Sequence, residues 1–183
     1  YFYNGRTANL LNFPITSDLY KDYEVLNREK LQTQIKSFIK ANKINPVNII
    51  IILSESVYFG KDLLETDENK QKQLVQAFLD SVPIELIRSD HIKTQKGVKA
   101  IAINQELYDA LKNTFEEQGS SISSSVPYFI LQQFGINPLH DFDLNAARTV
   151  LQNFDRLNQY NLFFHQESQH KDESEKTNGS RLK

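Results

Sequence analysis

The stretch Val47-Asn48-Ile49-Ile50-Ile51-Ile52-Leu53-Ser54-Glu55-Ser56-Val57-Tyr58-Phe59 decides the fold. Five apolar residues run unbroken from Ile49 to Leu53. A strand with one wet face alternates apolar and polar residues, whereas a continuous β-branched run suits a strand buried on both faces. The run is too short for a helix, and Asn45-Pro46 punctuates it in front. It reads as a central strand. Glu55-Ser56 interrupts the pattern before Val57 to Leu64 resumes in extended form, so residues 47–53 and 57–63 read as an antiparallel pair.

Working outward, the segment before the run predicts a helix. Asn27 stands where an N-cap belongs, and Leu31, Ile35, Phe38 and Ile39 form one apolar stripe on residues 28–42. Further upstream, Asn4-Gly5 is a two-residue hairpin signal between Tyr1-Phe2-Tyr3 and Leu10, Leu11 and Phe13. Ile15 to Leu26 has no period and reads as a connector.

Downstream, Thr66 or Asp67 caps a helix to about Ser81, with Leu74, Val75, Phe78, Leu79 and Val82 as its stripe and Pro83 as its stop. Ile84 to Ile92 and Val98 to Ile103 read as two further strands. Asn104 caps a helix carrying Leu107, Tyr108, Leu111 and Phe115 on one face, and Gly119 occupies the C′ position. Ser120 to Ser125 fits either a loop or an edge strand, and the strand is the better reading. A short helix begins near Pro127. Asp141 or Asp143 caps a last helix holding Leu144, Ala147, Val150, Leu151, Phe154 and Leu157. Together these elements give an α+β domain over residues 1–164, with a mixed or antiparallel sheet and packed helices. From Gln166 onward Leu182 is the one apolar residue in eighteen. Such a segment cannot bury enough surface to offset its ordering entropy, so 165–183 reads as a polar linker or tail.

Composition narrows the function. The net charge is −2, and the 21 Lys and Arg residues are scattered along the chain. That argues against a nucleic-acid-binding face. No apolar run approaches the ~18 residues of a membrane-spanning helix. With no cysteine, the chain has no disulfide, thiolate metal site or Cys nucleophile. It begins at Tyr1 and contains no methionine, so it reads as a piece of something longer.

Candidate chemistry is sparse. The cluster His140-Asp141-Phe142-Asp143 precedes a helix, where Asp is expected as a cap. Of the other histidines, His91, His165 and His170, none has a partner at metal-ligand helical spacing. Ser54-Glu55-Ser56 follows a strand but lacks the Gly-x-Ser-x-Gly elbow, so a hairpin turn explains it. The six glycines form no phosphate-cradling loop. Asn4-Gly5-Arg6-Thr7 is explained by its turn, Ser120 to Ser125 by a solvated edge, and Glu116-Glu117 by a wet helix face. No residue is therefore assigned a catalytic, cofactor-binding or metal-ligating role, and no enzymatic activity is expected.

A resemblance sharpens this. Val47 to Leu63, with its aromatic pair Tyr58-Phe59, resembles a strand pair of the actin-like pilus-assembly proteins called PilM. Ala77 to Ile84 resembles the helix that comes next in that family, ending in Pro83. Lys99-Ala100-Ile101-Ala102-Ile103-Asn104-Gln105-Glu106-Leu107-Tyr108 resembles its strand-into-helix segment, and Ser121 to Ile130 the strand after it. The resemblance implies a reduced actin-like domain of the FtsA/PilM branch with a ferredoxin-like inserted subdomain, 47–131 corresponding to that subdomain. A similar cytoplasmic region occurs in the secretion protein GspL. PilM binds ATP between two actin-like halves. Here the family's Asp-x-Gly phosphate loop is absent from Gly135 to Phe164, so no nucleotide cofactor is expected. The resemblance also implies a role as a non-catalytic scaffold of a type IV pilus or type II secretion-like inner-membrane platform. Its partners would be PilN- or PilO-like platform proteins, with a homodimer also open and no nucleic acid. It would sit in the cytoplasm, tethered by a membrane segment beyond Lys183, which Ser180-Arg181-Leu182-Lys183 would approach. Two alternatives stand beside it: a nucleotide-binding actin-like protein with a degenerate site, and an unrelated ferredoxin-like regulatory module.

Overall fold

The computed structural model describes residues 13–65, 67–94, 97–136 and 143–162, together with the paired strand residues 2–3 and 8–9. The fold is mixed α+β. Strands β1 (Phe2–Tyr3) and β2 (Ala8–Asn9) pair antiparallel, Tyr3 lying opposite Ala8. This register differs from the one that a two-residue Asn4-Gly5 turn would set; the residues between, like Leu10 and Leu11, lie outside the described ones. The connector holds an unforeseen ribbon, β3 (Tyr20–Lys21) and β4 (Glu24–Val25). Helix α1 (Arg28–Ala41) comes next, and the Asn27 side chain accepts from Lys30 N as its N-cap.

Strand β5 (Asn48–Leu53) is the isoleucine run. It does not pair with its sequence neighbour β6 (Tyr58–Leu63). β5 runs parallel to the distant β9 (Ser121–Pro127), whereas β6 pairs antiparallel with β8 (Gly97–Asn104). Ser54-Glu55-Ser56 is a turn, closed by Val57 N donating to Ser54 O, but it passes the chain between two sheets and makes no hairpin. Nor is β5 buried on both faces: Ile49 to Ile52 are half-buried. The central strand of the three-stranded sheet is β8, in the order β6-β8-β7, with β7 spanning Ile87–Thr94. Its Val-Lys-Ala-Ile-Ala-Ile sequence explains why. Val98, Ala100 and Ala102 meet helix α2 (Glu68–Leu79) on one face, while Ile101 and Ile103 enter the larger core on the other. Small residues on the α2 side let the helix approach closely.

β6, α2 and β7 form a split β-α-β unit with β8 inserted between the strands. This is the first part of a ferredoxin-like arrangement. The continuation departs from it: helix α3 (Gln105–Glu117) leads into β9, which joins β5 rather than the β6 edge. α3 packs on α1 through Leu107 and Ala110 against Leu31, Ile35 and Ile39. The Tyr108 hydroxyl bonds Ser125 Oγ at 2.9 Å inside the core, so one helix ties both sheets together.

Several expectations need correction. Ser120, Ser124 and Ser125 are buried and only Ser121 is exposed, so the serine run is a largely buried strand and not a solvated edge. Parallel pairing with β5 places it inside, and a bulge between Ile49 and Ile50 adjusts its register. The helix after Pro127 is a 3-10 helix, Tyr128–Phe134, ended by Gly135 in the left-handed conformation. The last helix is two: α4 (Leu144–Gln152) and α5 (Phe154–Leu157). Asn153 interrupts it by turning its side chain back onto Thr149 O. Leu74 lies outside the α2 stripe, exposed. The tail from 165 lies outside the described residues.

Three substitutions test this packing. Ile101 is fully buried at the centre of the sheet, so Ile101→Ala is expected to cost about 2–5 kcal/mol in urea unfolding. Gly97 has φ +147°, and a Cβ there would collide with Leu63 O. Gly97→Ala is therefore expected to destabilise by more than the ~1 kcal/mol of an ordinary surface change. The Thr114 hydroxyl is buried with no hydrogen-bond partner among the described residues. Replacing such a group by an isosteric apolar one is neutral or stabilising, so Thr114→Val is expected to leave the unfolding midpoint unchanged or raise it.

Candidate interaction surface

The residues considered for chemistry do not converge. Ser54 and Ser56 bond each other, Oγ to Oγ at 3.0 Å, on an exposed turn. Asp143 caps α4 by accepting from Ala146 N at 2.7 Å, as the capping reading requires. His140, Asp141, His165, His170 and Asn4 to Thr7 lie outside the described residues. His91 is exposed on β7, its Nδ1 3.9 Å from Asp90. Glu117 pairs with Lys36 across the α1–α3 surface at 2.7 Å, and Glu116 also lies on the wet face. Among the described residues no group of three His, Cys, Asp or Glu could hold a metal ion. No helix among them is long and apolar enough to cross a membrane. Burial, with the Glu55 and Asp62 carboxylates nearby, pushes the Tyr58 phenol up to about 12, so it stays neutral at physiological pH.

The built surface lies elsewhere, where the β3–β4 ribbon meets the split β-α-β unit. Asp22 and Tyr23 form its turn with φ of 51° and 66°. Both values are left-handed, the type I′ pattern that Asn-Gly usually supplies. Asp tolerates this conformation, but Tyr does not favour it, and tertiary contacts to Tyr23 support it there. Asn104 Nδ2 donates to Tyr23 O at 2.9 Å and to Glu24 Oε2 at 2.9 Å. Its Oδ1 accepts from Leu107 N, capping α3. The other Glu24 oxygen, Oε1, accepts from Glu85 N at 2.9 Å. The Tyr23 ring stacks obliquely on Phe59, centroids 4.5 Å apart. Gln105 N donates to Leu86 O at 2.9 Å, fixing the start of β7 beside the α3 terminus.

On the segments that these bonds join, three apolar side chains are left partly in water. Tyr23 is 37% exposed, Leu26 55% and Leu86 49%. Glu24 is bonded to the backbone of the residue preceding Leu86. Single exposed leucines need no explanation; these three are of interest because the bonds of Asn104 and Glu24 hold their segments together. Sequence reading missed this site because it spans the aperiodic connector and a strand start. The one available signal was Leu26 itself. It stands just before the Asn27 cap, where an apolar residue commonly packs on the first turn, yet it is left largely in solvent.

The same region carries the clearest titration effect. Lys30, then Thr16, hydrogen-bond the Asp18 carboxylate and hold its pKa at about 2, below the ordinary 3.8. A depressed folded-state pKa contributes stability above the unfolded value, and that contribution is lost as pH falls through the folded one. The contribution of Asp18 is thus intact above pH ~4 and gone below ~2, and small because the group is exposed. Proton titration by NMR is expected to give an Asp18 midpoint near 2 that moves toward 3.8 in Lys30→Met. Separately, Asn104→Ala removes a helix cap and the Glu24 anchor together and is expected to cost about 1–3 kcal/mol in chemical unfolding.

No family model and no curated protein matches the chain. Among solved structures it is similar to one described as a PilM-PilN type IV pilus biogenesis complex. The identity is 13% and the TM-score 0.41, over 65% of this chain and 40% of that one. The chain therefore spans less than half of the structure it matches.

Proposed function

We propose that this chain is a non-catalytic scaffold or adaptor domain, of reduced actin-like type, in the inner-membrane platform of a type IV pilus or type II secretion-like machine. It acts from the cytoplasmic side and docks a PilN-like platform protein. Two things support the reading. One is the resemblance of Val47 to Leu63 and Lys99 to Tyr108 to the PilM family. The observation that carries the docking role is that Tyr23, Leu26 and Leu86 are left exposed on segments joined by the hydrogen bonds of Asn104 and Glu24. A frame of that kind presents side chains in one geometry before the partner arrives, which lowers the ordering cost of binding.

The test is a calorimetric titration of the chain with the purified cytoplasmic segment of the PilN-like protein from the same organism. Wild type is expected to bind in the micromolar range. Leu26→Asp with Leu86→Asp is expected to weaken binding at least ~10-fold, equivalent to about 1.4 kcal/mol. Because both side chains are exposed, thermal stability is expected to stay near wild type. No binding by the wild-type chain, or equal binding by the double variant, would overturn the docking role.

A further inference from the structure

We propose that strand β5 is a pairing edge for a second copy of this chain, the two β5 strands meeting antiparallel across a two-fold axis. This pairing goes beyond the docking role proposed above and does not rest on it. β5 is bonded on one side alone. Its partner is β9, and among the described residues no other backbone group bonds to residues Asn48 to Leu53. Val47 O accepts from Ser121 N, so Val47 turns toward β9. Along a parallel strand the N–H and C=O of one residue point to the same side, and those of the next residue to the other. The register change between Ile49 and Ile50 puts the extra residue on β9, which leaves β5 itself regular. The N–H and C=O groups of Asn48, Ile50 and Ile52 therefore form an outward row.

The outer strands of the other sheet carry charges that discourage strand addition: Lys61 and Asp62 on β6, and Arg88, Asp90, His91 and Lys93 on β7. β5 has no such device. From Val47 to Ser54 there is no charged residue and no proline, and Ile49 to Ile52 stay half-buried. An unguarded apolar edge selects an extended backbone. The match that this sequence carries is to itself. A two-fold axis through Ile50 sets Ile50 opposite Ile50 of the second copy and Asn48 opposite Ile52, so each outward N–H meets a C=O. β-branched residues facing each other across an antiparallel pair are favourable, and no charge on the strand opposes the contact. The assembly also closes. The side of β9 away from β5 is taken at Ser125, whose N–H donates to Asn161 Oδ1 and whose carbonyl accepts from Leu162 N, both at 2.8 Å. Two strands from each copy then make one sheet, and pairing stops there, as a two-fold interface requires.

Sedimentation equilibrium of the whole chain up to ~1 mM is expected to show a reversible monomer–dimer equilibrium with a dissociation constant on the order of 100 μM. The mass is expected to approach twice the 21.2 kDa of the chain. Amide hydrogen exchange of the wild-type chain, followed by NMR at ~20 μM and ~1 mM, locates the contact. The N–H groups of Ile50 and Ile52 are expected to exchange severalfold more slowly at the higher concentration, while those of Ile49 and Ile51, turned to β9, are protected at both. Ile50→Lys places a charge on the edge and is expected to keep the chain monomeric. Circular dichroism checks that this variant folds, and the exchange measurement needs no variant. A chain monomeric throughout overturns the proposal, as does a dimer in which Ile50 and Ile52 stay unprotected or which Ile50→Lys leaves intact. Protection of both amides in the monomer would give the edge to a segment of the same chain. Protection that arises only with the PilN-like segment would give it to that partner. Either result overturns self-pairing, and so does association that continues beyond the dimer.

Discussion

The buried side chain of Asn104 is the interaction on which the rest of this structure turns. It ends the central strand β8 and begins helix α3. Its carbonyl oxygen caps the helix, and its amide holds both the backbone and the side chain of the β3–β4 ribbon. A buried amide is costly unless its donors and acceptor are met. Here both amide hydrogens and the oxygen have partners from two separate parts of the chain. The strand, the helix and the ribbon are thus locked in one relative position by a single residue that is 1% exposed.

From that hinge point α3 runs across the molecule and joins its two sheets. One side of the helix packs on α1 through Leu107 and Ala110. Tyr108 enters the main core, bonds Ser125 on β9 and lies beneath the Arg88 guanidinium, 4.7 Å from the ring centroid. Arg88 in turn pairs with Asp109 at 3.1 Å, both side chains mostly shielded from water. A two-stranded pair is at best marginal alone, and the β6-β8-β7 sheet, covered by α2 on one face, presents Ile101 and Ile103 on the other. The helix lets β5, β6, β8, the 3-10 helix and α4 share one core.

The same arrangement produces the exposed surface. The ribbon locked onto Asn104 turns through Asp22 and Tyr23, both left-handed, a conformation that Tyr does not favour. Leu26, after the ribbon, and Leu86, before β7, are both left largely in solvent. The functional reading depends on this tertiary frame. Of its residues, Tyr23, Glu24, Leu26 and Leu86 belong to no sequence signature.

Much of the local structure was written in the sequence. Asn27, Asp67, Asn104 and Asp143 all cap helices where their short polar side chains predict it, because a cap bond closes within three residues. Gly119 takes the left-handed C′ position for the same local reason. The apolar stripe of α1 faces the core as its period requires. What the tertiary structure decided was which strands meet. Ile49 to Leu53 announces a strand but not its partner, since four isoleucines accept almost any neighbour, and the partner proved to be a serine-rich segment some seventy residues away. Ser124 and Ser125 look solvated in sequence and are buried, because the adjacent helix and the parallel pairing leave them no access to water. The surface around Leu26 was likewise invisible. Exposure of an apolar side chain is fixed by how distant segments pack around it, and by nothing in its immediate sequence.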